Sequence, residues 1–406
     1  MRPLLITVGS RGDVQPYIAL ARGLVAAGHR PVVAAPRRLE PLAAEHGIDF
    51  VPLNDEMFDL QDSVKGQGVR AAITAARSVK PMLRRLLDDQ AALADRPADV
   101  VVYHPKSLGA PYVAEKLGVP AIAGLLLPLY LPTAEFPSPI LPVRLPRAFN
   151  RASWRITSAV EAPYRGTVRA WRAEALGLEG GFRTSADLIK EGGVLHAWSP
   201  HLLPAPADWP ASAHPTGFWT MPAGDGWTPP ERLARFLDAG DPPVYVGFGS
   251  SVSGDPEALT ATVLEAVRLA GRRAVLATGW GALRPEASTD DVLVIEEAPH
   301  DWLLPRVSAA VHHGGIGTVA AVLRAGIPQV VRPFIGDQPF WADRLHRLGV
   351  APPPVTGRLT AERLAAAITA AADSAPAARA LADQIAAENG IATAVARIQA
   401  RVGTRT

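Results

Sequence analysis

Cysteine is absent from this 406-residue chain. Disulfides, thiolate metal sites and a cysteine nucleophile are thereby excluded. Long apolar runs are missing too. The longest, Val119 to Pro132, is broken by Pro120, Pro128 and Pro132, well short of the ~20 apolar residues that span a bilayer. The start, MRPLLITVGSRGD, has one basic and five apolar residues before glycine and charge arrive, too few for the core of a signal peptide. Charge of one sign is also lacking. Lys+Arg 41 against Asp+Glu 39 gives a formal net charge of +2, with the basic residues scattered, whereas nucleic-acid binding requires a basic stripe. These absences lead us to expect a soluble, cytoplasmic protein with no transmembrane segment and no nucleic-acid partner.

What is present is core material. A composition 48% hydrophobic and 20% charged excludes a mainly disordered chain, and the length predicts two or three domains. Pro3–Val8 is a short apolar run bounded by Gly9 and reads as a buried parallel strand. After the loop GSRGDVQ, Pro16 stands where a first-turn proline belongs and opens a helix that Gly28 stops. Pro31–Ala35, Arg37–Glu45 and Asp49–Val51 continue as strand, helix and strand. This βαβαβ order marks a doubly wound sheet. It resumes at Asp99–Tyr103, the helix Pro111–Leu117 and the strand Pro120–Gly124.

The second half repeats the scheme, with strand Pro243–Gly247, helix Pro256–Ala270 and strand Arg273–Ala277. LARGLVAAGHRPVVAA from residue 20 and VLEAVRLAGRRAVLAT from residue 263 both read helix, glycine cap, basic pair, strand, a weak internal repeat. Between the halves, Pro204–Pro230 holds seven prolines and is expected to be an irregular linker. The division expected is therefore 1–203, a linker 204–230, 231–385, and a C-terminal helix within 386–406 packing back toward the first domain. Ligands of such sheets bind at the carboxyl ends of the strands.

The motifs lie at those ends. Strand Ala309–His312 runs into His313-Gly314-Gly315-Ile316-Gly317-Thr318 and a helix. The glycines admit a ligand to the backbone, and the helix N-terminus offers N–H groups to an anion such as a diphosphate. The other reading is a tight turn beside a core histidine. Asp337-Gln338, after strand Gln329–Arg332, pairs an acid with an amide suited to the vicinal hydroxyls of a sugar, or else Asp337 caps the next helix. Asp13 and Ser10 follow the first strand. Asp13 either caps its helix or acts as a base, for which its pKa must be tuned by its surroundings. Arg11 is near enough in sequence to pair with it.

These motifs together resemble the family 1 glycosyltransferases of GT-B fold. The phrases GFGSS, EEAPHDWLLP, HHGGIGT and AGIPQVV…GDQPFWADRL carry the match over 243–350, and VGSRGDVQPYIALARGLVAAGH looks like the family's first strand and helix. GSRGDVQP and YHPKSLGAPYVAEKLGVP bring the chain nearest the bacterial antibiotic and sterol-type members. Asn54–Arg96 and Pro128–Leu188 match weakly. The resemblance implies an α/β protein of two Rossmann-like domains facing each other across a cleft, and an inverting transfer of a hexose from a UDP- or dTDP-sugar to a hydroxyl of a lipophilic acceptor. Beyond that donor substrate it implies no cofactor and no metal.

It also implies roles. Ser250, Ser251 and His313 would hold the donor diphosphate, with Gly315, Gly317 and Thr318 completing the cradle and Asp337 and Gln338 on the donor sugar. Ala298, Pro299 and His300 would line the nucleobase pocket. Glu297 stands where plant members have tryptophan, with Trp302 as a substitute stacking platform. Asp13 would be the general base, assisted by Ser10, with His104 the second candidate. His104 would otherwise line the acceptor site. The proline-studded apolar stretch Leu125–Pro142, with Tyr130 and Phe136, reads from its residues either as an acceptor-facing wall or as packed loop. A monomer or a homodimer is expected. Two other readings stay open: an NADP-dependent oxidoreductase, for which Arg37 could meet a 2′-phosphate although GxGxxG is incomplete, and a silent homologue acting as a partner protein.

Overall fold

The computed structural model describes residues 1–56, 69–141, 145–221, 227–249, 255–279, 281–285 and 288–403, with backbone alone over 69–78. The first sheet takes β1 (Pro3–Ile6), β2 (Val32–Pro36), β3 (Asp49–Leu53), β4 (Val100–Tyr103), β5 (Ala121–Leu125), β6 (Val194–His196) and β7 (Ala213–Pro215) in the order β3-β2-β1-β4-β5-β6-β7. The second takes β8 (Val244–Gly247), β9 (Ala274–Ala277), β10 (Val292–Ile295), β11 (Ala309–His312) and β12 (Gln329–Val331) in the order β10-β9-β8-β11-β12. Every pairing is parallel. Parallel strands are covered on both faces, and β1, β4, β8 and β11 are buried at every position. Strand order reverses beside β1 and β4 in one sheet and beside β8 and β11 in the other. Crevices for ligands open at such switch points. The two segments of the internal repeat occupy equivalent places, helix Arg11–Ala26 before β2 and helix Pro256–Leu269 before β9.

Three expectations are corrected. Helix Arg11–Ala26 starts five residues before Pro16, which lies inside it, because Ser10 and Asp13 already close its first turn. The stretch from Pro204 is not irregular throughout: β7 pairs with β6 through Val194↔Ala213 and His196↔Pro215. Proline is tolerated there because β7 is an edge strand. Trp209 further pins this stretch to the domain by donating its indole N–H to the Leu131 carbonyl at 2.9 Å. Finally, the long helix Val69–Ala91 falls where no element was expected.

The domains are joined by more than the chain crossing. Trp198 meets Trp341 edge-on at 6.0 Å, Arg344 donates to the Leu202 carbonyl at 2.6 Å and the Ser199 hydroxyl donates to Glu388 at 2.6 Å. The last helix, Gly390–Gly403, lies on helix Arg11–Ala26. It enters through a tight passage, where a Cβ on Gly390 would stand 2.5 Å from the Phe218 carbonyl oxygen. Backbone cannot step aside as a side chain can. Gly390→Ala should therefore destabilise by about 2 kcal/mol and lower the thermal midpoint by several degrees, while Gly166→Ala, in helix Arg165–Leu176 with open space around it, should leave it unchanged or raise it slightly. Equal midpoints for the two variants in a melting experiment would refute this account of the passage.

Candidate active site

At the first switch point, the chain leaves β1 and turns at Ser10 into helix Arg11–Ala26. Asp13 folds back over Gly9, whose Cβ, if present, would lie 2.1 Å from Oδ2. Ser10 donates to that Oδ2 through its backbone N–H at 2.8 Å and its hydroxyl at 3.2 Å, the reciprocal half of a capping box. Oδ1 is met from the loop after β4, by Lys106 Nζ at 2.8 Å and His104 Nε2 at 3.5 Å. The Lys106 backbone N–H donates to His104 Nδ1 at 3.2 Å. That bond makes Nδ1 the acceptor and assigns the ring proton to Nε2, facing Asp13.

Charge follows from this arrangement. Burial pushes the His104 ring down to about 4 against the opposing pull of Asp13, so His104 is neutral at neutral pH. Burial also pushes the Asp13 carboxyl up. Lys106, His104 and the Ser10 N–H together outweigh it and hold the carboxyl below its ordinary value. Since His104 is uncharged near neutrality, Lys106 carries that effect there. Arg11, expected near Asp13, instead donates to Gln15 at 3.2 Å and reaches Glu297 of the second domain at 3.4 Å.

At the second switch point, His312 builds the turn. Its ring is fully buried, Nδ1 accepts from the Gly314 N–H at 3.0 Å, and Nε2 lies 2.9 Å from Gln329 Oε1. Gly314 takes φ +94°, and a Cβ there would stand 2.9 Å from Val331. The turn lays the His313 ring over Gly315, where a Cβ would stand 2.4 Å from Nε2, and beside Gly249 after β8. His313 Nδ1 is buried without a hydrogen-bond partner, and burial holds the ring down to about 4. Helix Ile316–Ala325 begins at Gly315 with no side-chain cap. Gly317 is exposed and Thr318 half-buried beside it. An orphaned imidazole nitrogen and bare helix N–H groups at one corner form an anion cradle. Ser250 and Ser251 lie outside the described residues.

After β12, Asp337 stands at the N-cap of helix Gln338–Arg347 and accepts the Trp341 indole N–H at 2.8 Å. Burial raises its pKa, and both Lys106 and Asp13 lie within electrostatic reach. The Gln338 carbonyl oxygen accepts from the backbone N–H groups of Phe334 (2.7 Å) and Ile335 (3.1 Å), which leaves only its NH₂ for a ligand. Ala298 and Pro299 lead into a short turn of helix at His300, whose Nε2 is 3.2 Å from the Tyr245 hydroxyl. Trp302 is already engaged, tilted against Trp227 at 5.1 Å with Arg306 over its ring at 4.4 Å.

The expected acceptor residues divide. Phe136 packs on Phe340 of the second domain at 5.3 Å and on Trp154 and Trp209. Tyr130, at φ +66°, donates to Glu161 at 2.5 Å and lines a cavity of about 470 Å³ with Trp154, Thr157 and Trp209. His104 is held beneath Asp13. Sequence reasoning missed Lys106, whose only signal is its place two residues beyond His104, and missed His312 as the builder of the turn. Among the described residues no group of three or more histidine, aspartate or glutamate side chains is placed to hold a metal ion, and no helix is long and apolar enough to cross a membrane.

Comparison with known proteins bears on the family and the fold. Residues 4–134 match the glycosyltransferase family 28 N-terminal domain, and 284–400 match the erythromycin biosynthesis protein CIII-like C-terminal domain. The chain is 35% identical to a sterol 3-beta-glucosyltransferase of Emericella nidulans over 97% of its own length and 29% of that protein's. It is 34% identical to a sterol 3-beta-glucosyltransferase of Arabidopsis thaliana over 87% of its length and 58% of the relative's. It thus spans well under two thirds of either relative. The SsfS6 glycosyltransferase of Streptomyces sp. SF2575, solved with thymidine diphosphate, shares the fold at TM-score 0.62 and 23% identity, with 98% of this chain and 99% of that one covered.

The Gln338 carbonyl carries a structural duty independent of any ligand. Gln338→Leu leaves the Phe334 and Ile335 N–H groups without their acceptor, at about 1–3 kcal/mol. A lower melting midpoint in the ligand-free protein is expected, and an unchanged one would show that this loop is held by other means.

Proposed function

We propose, from the premise that this chain belongs to the family 1 glycosyltransferases of GT-B fold, that it transfers a hexose from a UDP- or dTDP-sugar to a hydroxyl of a lipophilic acceptor such as a sterol or a natural-product aglycone, with inversion at the anomeric carbon. The observation that carries the reading is the His313 corner, where an unpartnered buried imidazole nitrogen adjoins an uncapped helix N-terminus. A nucleoside diphosphate leaving group develops negative charge as the glycosidic bond breaks. Fixed N–H donors aimed at that charge stabilise it without reorganising. In this reading the Gly315–Thr318 amides and His313 take the place a divalent cation fills elsewhere, so no metal is required. Asp337, oriented by Trp341, and the Gln338 NH₂ meet the sugar hydroxyls, and Ala298–His300 border the base.

Asp13 is the general base. His104 is the weaker candidate, because its only acceptor nitrogen is already bonded to the Lys106 N–H and its other nitrogen presents a proton to Asp13. As the acceptor oxygen attacks the anomeric carbon, its proton passes to the Asp13 carboxylate while the diphosphate departs on the opposite face. Ser10 fixes the carboxylate through Oδ2. Phe136 and Phe340 offer apolar surface to the aglycone.

The oxidoreductase reading is disfavoured by the same residues. The N-terminus of helix Arg11–Ala26, where a dinucleotide pyrophosphate would sit, is filled by the Asp13 carboxylate. The two readings separate in a thermal-shift titration, in which UDP-glucose or dTDP-glucose should raise the midpoint and NADPH should not. His313→Ala should weaken nucleotide-diphosphate binding by at least about tenfold. Asp13→Asn should leave that affinity intact while cutting turnover by about 10²–10⁴-fold. Undiminished donor affinity in the first variant, or undiminished turnover in the second, would refute the corresponding role.

A further inference from the structure

We propose that Lys106 is the positioning residue of this site, its ammonium fixing the Asp13 carboxylate in charge and orientation within reach of both domains. The inference rests on Asp13 being the base, and goes beyond it by assigning the group that keeps that base in its working form.

The geometry carries it. Asp13 is 15% exposed on its side chain, so a carboxylate there has lost most of its water, whereas Lys106 is 56% exposed and brings its charge in from solvent to 2.8 Å of Oδ1. The groups facing Asp13 come from three elements. From its own turn come the Ser10 N–H and hydroxyl, both on Oδ2. From the loop after β4 come His104 and Lys106, both on Oδ1. From the second domain comes Asp337, a like charge within electrostatic reach. Arg11, the nearest other cation in sequence, is turned away to Gln15 and Glu297. Burial favours a protonated Asp13, and a protonated carboxyl cannot accept the acceptor's proton. Near neutrality His104 is uncharged and, like the Ser10 donors, contributes only a dipole; in the acid range its ring, held down to about 4, adds a second positive charge 3.5 Å from Oδ1. Among the described residues Lys106 is the one side chain that brings a full positive charge into contact with the carboxylate at neutral pH, and it remains the larger charge effect in acid; an opposite charge at that range lowers a carboxyl pKa by about 1–3.

The ammonium therefore exchanges some basic strength for ionisation. It keeps Asp13 charged in a dry cleft and sets how far the pH can fall before the base is lost. The sign follows directly. With Lys106 present, Asp13 releases its proton at lower pH and the active form extends further into acid. Without it, the carboxyl titrates higher and the acid limb moves toward neutrality.

The test reads the carboxylate itself. In the full chain labelled with [¹³C]aspartate, the Asp13 carboxyl resonance is assigned by its loss in Asp13→Asn and followed against pH in the wild type, Lys106→Gln and Lys106→Arg. The glutamine variant should raise the Asp13 midpoint by at least about one pH unit, and the arginine variant should restore it to near the wild-type value. The acid limb of glucose transfer from UDP-glucose to ergosterol, used as probes, should move by the same amount. A Lys106→Gln midpoint within a few tenths of wild type overturns the proposal, as does a Lys106→Arg midpoint that stays with the glutamine variant. The two readings fail separately. Full turnover in Asp13→Asn removes the base assignment even where the midpoint shifts, while a dead Asp13→Asn with an unshifted Lys106→Gln midpoint removes only the role of Lys106.

Discussion

Each sheet points a helix N-terminus at the cleft from its switch point, and the two ends are treated in opposite ways. A helix start concentrates unpaired N–H groups and about half a positive charge, so some negative group must answer it. In the first domain the answer is internal: Asp13 bends back onto Ser10 and fills the space over Gly9. In the second domain the helix from Ile316 opens at Gly315 with no side-chain cap and with His313 laid across it. A filled end supplies a carboxylate to the cleft, and a bare end leaves its N–H groups open to an anion. One recurring βα unit thus presents a carboxylate in one domain and free N–H groups in the other from the same geometry.

The histidines show how burial sorts chemically identical groups. His312 spends both nitrogens on Gly314 and Gln329 and becomes scaffold. His313, one residue on, keeps Nδ1 unpartnered. His104 has its tautomer fixed by the backbone of Lys106 and its proton directed at Asp13. All three are driven toward the neutral form by loss of water, so each acts through hydrogen bonding and not as a resident cation. A positive charge beside the buried Asp13 carboxylate has to come from a side chain able to stay partly in solvent, and the half-exposed Lys106 reaches it at 2.8 Å.

The contacts between domains differ across the molecule. Beside the Ala298–His300 turn, Arg11 and Glu297 form an ion pair with side chains 43% and 72% exposed, and such pairs contribute only about 0–1 kcal/mol. Elsewhere the link is made of buried aromatic and hydrogen-bonded contacts, Trp198 on Trp341 and Arg344 on the Leu202 carbonyl. The bond beside the Ala298–His300 turn is thus the weak one.

Much of this was legible in the sequence because it is local. Strands buried on both faces read as apolar runs, glycine-rich turns mark strand ends, and HHGGIGT announces a strand, a tight turn and a helix within seven residues. Where local rules competed, the sequence misled. Pro16 looked like a helix start until the Ser10–Asp13 pair closed the turn earlier, and the prolines of 204–230 concealed an edge strand that needs only three ladder positions. What local pattern cannot carry is the meeting of residues far apart in the chain. Lys106 lies 93 positions from the carboxylate it holds and Glu297 lies 286 from Arg11. Residue type and periodicity settled which elements form and which side chains stand at strand ends. Sheet order and the docking of two domains decided which of those ends meet, because an electrostatic interaction depends on distance in space and on the water excluded around it, and neither is written in the spacing of residues along the chain.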